Sequence, residues 1–426
     1  MDDLILSAHH LIDLLADNQF QAATALFDNT MQSALPAEKL ASTWASLTSQ
    51  LGRLQQQGDA KTEQAGQHQV VLIACHFAKA TMTAKVAFNS EQQIAGLFIT
   101  PASAATDYAP PPYVTPGAFR EQELQVGAGE WVVPGTLTLP VGDSPFPAVV
   151  LVSGSGPNDR DETIGPNKPF KDLAWGLASR GVAVLRCDKR TRAYPEKALA
   201  MLSTFTMKEE YIEDALEALA QLLLMPQIDA RRIFLLGHSQ GGSVLPRIGK
   251  ADPALAGFII MAGGARKLED TYLDQMTYIF SLDGGPTEEQ QKQLEQIRAQ
   301  VERVKHLRET PAAPADLPLG VPAAYWLDLQ DDDPPAAAKS LAQPILILQG
   351  GRDYQVTGED FQRWQNALTP RQDVTFKFYP TLNHLFLAGT GQITPAEYAA
   401  PGHVSQQVVE DIAGWIQEHY GSVQKG

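Results

Sequence analysis

The stretch Ile233-Phe234-Leu235-Leu236-Gly237-His238-Ser239-Gln240-Gly241-Gly242 decides how this chain is read. Its four leading apolar residues have the length and bulk of a strand buried on both faces. Gly237, Gly241 and Gly242 then bracket a serine at the point where the chain must turn, and a helix-compatible run follows. The pattern is G-x-S-x-G between strand and helix. In that context small flanking residues permit a strained turn that lifts the serine hydroxyl above the edge of a sheet. Ser239 is therefore the candidate nucleophile, against the plainer alternative of a glycine turn that only starts a helix.

Working outward, apolar strand segments are expected at 148–152, 182–186, 232–236, 257–261, 344–348 and 374–379. Helical segments separate them at 168–180, 208–224, from 240 onward and at 359–367, and a helix at 404–419 closes the chain. Short continuous apolar strands alternating with helices predict a mainly parallel sheet covered on both faces. Two further strands, 119–126 and 130–139, precede this set. Between about 266 and 342 the alternation is interrupted. Leu294, Ile297, Val301, Val304 and Leu307 share one helix face there, and 310–338 is rich in Pro, Asp and Ala. A single short stripe lacks the sustained heptads of a coiled coil, so the insertion predicts a helical cap over the ligand-binding edge. No internal repeat is present.

Upstream the pattern differs. Leu4, Ala8, Leu11 and Leu15 recur at helical spacing, and Pro36 opens a further helix through Trp44 and Leu47. Strand-like segments follow at 53–59, 68–77, 81–88 and 92–100. Helices followed by a four-stranded meander predict a small α+β domain at 1–100. Pro101, Pro110, Pro111, Pro112 and Pro116 make 101–117 an extended, semi-rigid connection. The second domain is then expected at 118–426.

A serine hydroxyl is a weak nucleophile at neutral pH and needs a base, which in turn needs an orienting carboxylate. In the elbow topology the acid and then the histidine follow the serine, each on a loop that leaves a strand. Gly350-Gly351-Arg352-Asp353 leaves the strand at 344–348, which makes Asp353 the acid; Asp360, inside the next helix pattern, reads as a surface carboxylate. Pro380-Thr381-Leu382-Asn383-His384 leaves the last strand, which makes His384 the base. His403 is the rival, although its place after Pro401-Gly402 suggests an exposed residue at a helix start. His238 adjoins the serine, and packing beneath the turn is its expected role. Adjacent His9 and His10 point to different helix faces and no H-E-x-x-H occurs, so no metal site is expected.

Acyl transfer also needs donors for the oxyanion of the tetrahedral intermediate. The N–H of Gln240 is one candidate. The other should come from the loop after the first parallel strand, Ser153-Gly154-Ser155-Gly156-Pro157, where Ser155 is the candidate through its backbone N–H. A dinucleotide fingerprint at Gly154-x-Gly156 fails, because Asp159 stands where the third glycine belongs and Pro157 interrupts the approach to a helix. In the cap, Tyr325 and Trp326 are candidates to line a substrate pocket; packing within the cap is the alternative.

Taken in order, the motifs from Ser153 to Asp161, Asp188-Lys189-Arg190, Gly237 to Gly242, Gly351-Arg352-Asp353 and Asn383-His384 resemble the α/β-hydrolase superfamily. More narrowly, they resemble bacterial serine esterases of the dienelactone-hydrolase-like type, over about residues 118 to 421. The chain departs from that pattern at Ser153, where such enzymes commonly carry His. The first hundred residues, with Leu40, Trp44 and Gly52, are similar to the cystatin-like or NTF2-like module that precedes the hydrolase domain in some of these esterases. The resemblance implies an α/β-hydrolase fold with a helical cap insertion. The chemistry implied is hydrolysis of small to medium acyl esters through a Ser-His-Asp triad and an acyl-enzyme, with no cofactor. A docking, homodimerising or substrate-shaping role is the expectation for the first domain. A peptidase or acyltransferase with the same triad, and a noncatalytic binding protein on a hydrolase scaffold, are the alternatives.

Composition narrows the partners. The 426 residues hold 33 Lys and Arg against 49 Asp and Glu, a formal charge of −16, which disfavours a nucleic-acid partner held through phosphate neutralisation. No apolar run approaches the roughly 18–20 residues of a membrane span. The start is acidic with no Lys or Arg before Lys39, so a cytoplasmic protein is expected, or an exported one whose leader has been removed. Cys75 and Cys187 are far apart in apolar contexts and read as free buried thiols.

Overall fold

The computed structural model describes residues 2–65, 68–78, 80–101, 108–252 and 254–419, and the chain forms two compact units, Met1–Asp107 and Tyr108–Gly426. In the first unit, helices Asp2–Ala16, Phe20–Thr24, Asn29–Ala34 and Ala37–Leu51 precede four strands. These are β1 (Leu54–Ala65), β2 (His68–Phe77), β3 (Thr81–Phe88) and β4 (Ile94–Pro101), joined antiparallel in sequence order. Along β2 and β3 every second side chain is buried, the pattern of a sheet with one covered face. That face packs Val71, Ile73, Ala84 and Val86 with Leu11, Leu15 and Trp44 of the helices.

The second unit is built on β5 (Phe119–Val126), β6 (Val133–Pro140), β7 (Phe146–Val152), β8 (Ala183–Cys187), β9 (Ile228–His238), β10 (Gly257–Met261), β11 (Ile345–Gly350) and β12 (Val374–Tyr379). Their spatial order is β12-β11-β10-β9-β7-β8-β6-β5. From β7 to β12 neighbouring strands run parallel, whereas β6 is antiparallel to both β5 and β8. The doubly covered sheet expected from the sequence is present. Val150, Leu235, Ile260 and Ile347 face helices Glu213–Leu223, Gln240–Ala251 and Gly358–Leu368. The alternating Val149, Leu236, Ile259 and Leu346 face helices Pro169–Ala178 and Gln406–Glu418. With both faces packed, all five residues of β10 and all six of β11 are buried.

Part of the proline-rich segment belongs to this unit. Tyr113 packs on the second core face, the Thr115 N–H donates to Ser179 Oγ at 3.0 Å, and Tyr108 OH donates to Asp172. Residues 102–107 lie outside the described residues. The insertion between β10 and β11 contains helices Leu268–Ser281, Glu288–Lys305, Ala323–Gln330 and Pro334–Ala338. Leu294, Ile297, Val301, Val304 and Leu307 are all buried, and Trp326 closes a small core with Val304, Leu307 and Leu317.

Asp360 corrects the surface reading, being fully buried. Its Oδ1 accepts the Ala265 N–H at 2.9 Å, and its Oδ2 lies 3.0 Å from Arg266 Nη2 and accepts the Thr357 N–H at 3.0 Å. It therefore fastens the base of the insertion to the helix after β11. The Thr357-x-x-Asp360 capping box was visible in the sequence, but the apolar period of the helix hid that its acidic end faces inward. Among the described residues no helix is long and apolar enough to cross a membrane.

Candidate active site

The end of β9 runs straight into Ser239, whose backbone sits at φ 54°, ψ −123°, a region other than glycine rarely enters. The neighbours explain why the turn is so tight. A Cβ on Gly237 would lie 2.3 Å from the Gly241 carbonyl oxygen, and one on Gly241 would lie 2.2 Å from that of Val152. The Ser239 N–H donates to the Met261 carbonyl at 2.9 Å and its own carbonyl accepts from Gly242 N–H at 2.9 Å, tying the serine to β10 and to the following helix. Gln240 is the first residue of that helix, so its N–H has no partner within it.

The loops after β11 and β12 interlock beside this turn. A Cβ on Gly350 would meet the Leu382 carbonyl oxygen at 2.6 Å, and the Arg352 N–H donates to the same oxygen at 2.9 Å. Asp353 Oδ1 accepts the N–H groups of Gln355 at 2.8 Å and Val356 at 3.0 Å, while Oδ2 accepts from His384 Nδ1 at 2.7 Å. A carboxylate so engaged accepts only, so the His384 proton lies on Nδ1 and the Nε2 lone pair is left for a reacting hydroxyl. Buried Asn383 shapes the loop, its Oδ1 accepting the N–H groups of Leu385 and Leu387 and its Nδ2 donating to Glu397. Among the described residues no hydrogen bond joins Ser239 Oγ to the His384 ring; such contacts commonly form only when substrate binds.

His403 belongs to a different cluster. Its Nδ1 lies 3.1 Å from buried Asp172, which also accepts the Val404 N–H at 2.8 Å, and its ring meets Tyr108 edge-on. It is thus a partnered, half-buried residue rather than an exposed one at a helix start, because the helix Gln406–Glu418 begins later and the 108–117 segment covers the ring. His238 packs under the turn as expected, and it is also ionically engaged there.

Ser155, Ser239 and Gln240 border one cavity of about 560 Å³. Its walls are mostly apolar, with Leu199, Phe205, Met207, Leu268, Val321 and Leu329 among them. Tyr325 and Trp326 border it too; Trp326, 1% exposed, also belongs to the cap's own core. Tyr325 reaches the elbow, its hydroxyl accepting from Gln240 Nε2 at 3.0 Å and donating to Glu210 Oε2 at 2.6 Å. Behind the 153–157 loop the Gly154 carbonyl lies 3.0 Å from Lys189 Nζ, which donates to it, and 3.1 Å from Tyr211 OH. Burial holds the Lys189 ammonium below the usual lysine range, against the pull of neighbouring Glu210. Burial also drives both tyrosine hydroxyls well above their ordinary value, so they act as hydrogen-bond groups and not as acids.

Sequence reading missed this supporting layer. The wall from Leu199 to Met207 lies in short helical turns with no apolar period, Glu210 and Tyr211 carry no motif, and Lys189 stands in the Asp188-Lys189-Arg190 motif without a role that the motif itself reveals.

With this geometry in view, residues 167–390 match the family described as serine aminopeptidase, S33. Along 403 residues the chain is 39% identical to Esterase EstD of Thermotoga maritima, covering 94% of this chain and 92% of that protein. The chain belongs to this α/β-hydrolase family. Residues 8–97 match a family described as a protein of unknown function. The match to EstD is too long to omit either compact unit, so that relative shares both. Among solved structures, Est1E from Butyrivibrio proteoclasticus is 13% identical with TM-score 0.46, over 70% of this chain and 99% of that one. The acylaminoacyl peptidase of Pyrococcus horikoshii is 14% identical with TM-score 0.46, over 86% and 50%.

Proposed function

We propose that this hydrolase is a serine carboxylesterase acting on esters with an apolar acyl group of small to medium length. The observation that carries the reading is the buried Asp353–His384 pair on the loops beside the strained Ser239 turn. In the first step His384 Nε2 takes the Ser239 proton as Oγ bonds to the ester carbonyl carbon, and the oxyanion is held by the N–H groups of Ser155 and Gln240. The C–O bond to the alcohol then breaks, and the alkoxide leaves with the proton from His384. Water, deprotonated by the same nitrogen, attacks the acyl-enzyme, and the acid departs as Oγ regains its proton. Asp353 fixes the ring and stabilises its charged form.

The substrate class follows from the walls. A cavity of about 560 Å³ lies within the range that holds a drug-sized ligand, and its apolar side chains favour hydrocarbon over charge. An aminopeptidase would need a carboxylate free to hold the substrate's amino terminus. Of the two acidic side chains that border the cavity, Glu210 is already engaged by Lys189 and Tyr325, and burial raises the Asp332 carboxyl above the usual range, which disfavours its charged form. The test is a panel of p-nitrophenyl esters beside aminoacyl p-nitroanilides, with a fluorophosphonate probe mapped by peptide mass. Ester turnover with the label on Ser239 is expected; anilide turnover exceeding ester turnover would move the reading to a peptidase, and an unlabelled Ser239 would remove it.

A further inference from the structure

Glu162 is a carboxylate with no place in the reaction just described, yet it is buried at 2% exposure in the wall behind the candidate oxyanion loop. Its own backbone has φ 51°, a left-handed conformation uncommon for a residue with a side chain, so the turn aims the carboxylate inward at a conformational cost. Oε1 accepts the Gly154 N–H at 2.6 Å. That bond occupies the amide next to Ser155 and fixes the peptide whose neighbour is the proposed oxyanion donor. A Cβ on Gly154 would lie 3.3 Å from Oε1 and 3.1 Å from Ser239 Cβ, so loop, carboxylate and nucleophile are in mutual contact.

The other oxygen, Oε2, lies 2.9 Å from His238 Nδ1, as an ion pair rather than a straight hydrogen bond. Across the ring, His238 Nε2 is 2.9 Å from the carbonyl oxygen of His384, and the two imidazoles sit 4.7 Å apart. A proton inventory follows. The His384 carbonyl can only accept, so Nε2 carries hydrogen; the Glu162 carboxyl group 2.9 Å from Nδ1 then favours a proton there too through charge. The pair thus favours the imidazolium form of His238, with Glu162 as its counter-charge. Burial alone would lower its proton affinity, but Glu162 outweighs burial and, with the His384 carbonyl and Asp353, sets it above the ordinary histidine range.

We propose that Glu162 and His238 are positioning residues forming one charged clamp, which holds the oxyanion loop through Gly154 N–H and the loop of the general base through the His384 carbonyl. The clamp rests on the esterase reading above. It sets the distance between the oxyanion donor and the base, a relationship that matters in the transition state more than in the bound ester. Its loss should lower kcat while leaving KM nearly in place. Glutamine at 162 can still accept from Gly154 and can donate to a neutral His238, so it should restore much of what alanine loses.

The experiment compares Glu162→Ala, Glu162→Gln and His238→Gln with the full-length parent and with Ser239→Ala on p-nitrophenyl butyrate, alongside ¹⁵N-histidine spectra. Expected for Glu162→Ala is a fall in kcat of about 10²-fold, the scale of losing one oxyanion donor, with KM within about threefold. Glu162→Gln should recover at least about tenfold of that loss. In spectra recorded across a pH series, both His238 nitrogens should stay protonated to higher pH in the parent than in Glu162→Gln. A Glu162→Ala kcat within about threefold of the parent, a loss confined to KM, or a His238 that loses its second proton at no higher pH in the parent than in Glu162→Gln would overturn the clamp. Should the alanine variant not fold, the Glu162→Gln spectrum and the His238→Gln kinetics decide it on the same criteria. Ser239→Ala separates the two claims: if it stays active the esterase reading fails, and if it is inactive while Glu162→Ala is not, only the clamp fails.

Discussion

The hydroxyl of Tyr325 donates to Glu210 at 2.6 Å, joining the cap to the helical segment behind the oxyanion loop. Gln240 Nε2 donates to the same hydroxyl, the single Tyr211 O–H lies between Gln240 Oε1 at 2.9 Å and the Gly154 carbonyl at 3.1 Å and donates to one of them at a time, and Lys189 bridges that carbonyl to Glu210. The ring therefore closes through both loops that would present the oxyanion donors and through one cap residue. A network of this kind rigidifies when complete and is costly when one partner is removed.

Tyr325→Phe tests that ring. It leaves the partly buried Glu210 Oε2 without the hydroxyl, so thermal or urea unfolding should show a loss of about 1–3 kcal/mol. Ester kcat should fall with it, measured at a temperature where the variant is fully folded. Unchanged stability and kcat would mean that the cap contact is incidental.

Asp353→Asn keeps the side-chain shape but can present an N–H where His384 Nδ1 needs an acceptor. The ring is then free to adopt the other tautomer, with hydrogen on Nε2 and no lone pair for Ser239. A fall in kcat of about 10⁴-fold is expected, by the same logic as in other Ser-His-Asp enzymes. The corresponding loss for His403→Ala should be small, since its partner is Asp172.

The His238 pair predicts a pH dependence of stability. Its affinity for protons is raised on folding, so above the ordinary histidine pKa of about 6.5 the native chain binds more protons than the unfolded one. The stabilisation is complete below that value and is lost as pH rises through the raised folded value. Urea unfolding at a series of pH values should show this decline in the parent, and the parent-minus-His238→Gln difference should shrink toward alkaline pH.

Chain-length preference tests the cavity. Each methylene moved from water to an apolar wall is worth about 0.8 kcal/mol, or roughly a fourfold gain in kcat/KM per carbon until the space is full. Val321→Trp, which fills wall volume of that cavity, should end that climb at a shorter ester. A flat profile in the parent would place the acyl chain elsewhere.

Asp360→Ala should destabilise the second unit by about 3 kcal/mol, because Arg266 would keep a largely buried guanidinium without its innermost partner. Calorimetry measures it directly.

How far the sequence reaches is visible in individual residues. Asp353 and His384 were readable because parallel strands end in loops on one edge, so order along the chain translates into neighbourhood in space. The fold was readable for the same reason: β10 and β11 are short, apolar but for Gln349, and bounded by helices. Glu162 was not readable, since its role depends on a backbone at φ 51° and on two partners 8 and 76 positions along the chain. The Leu199–Met207 wall was hidden because its turns are too short to carry a period. Asp360 was misjudged because one helix position cannot tell a solvated carboxylate from one capped inward against Arg266.

The central claim is that Ser239 is the nucleophile, and the most direct measurement is kcat of Ser239→Ala on p-nitrophenyl butyrate beside the folded parent. The account predicts a fall of about 10⁴- to 10⁶-fold with an unchanged unfolding temperature. Retention of most of the parental kcat by a folded Ser239→Ala protein would contradict it.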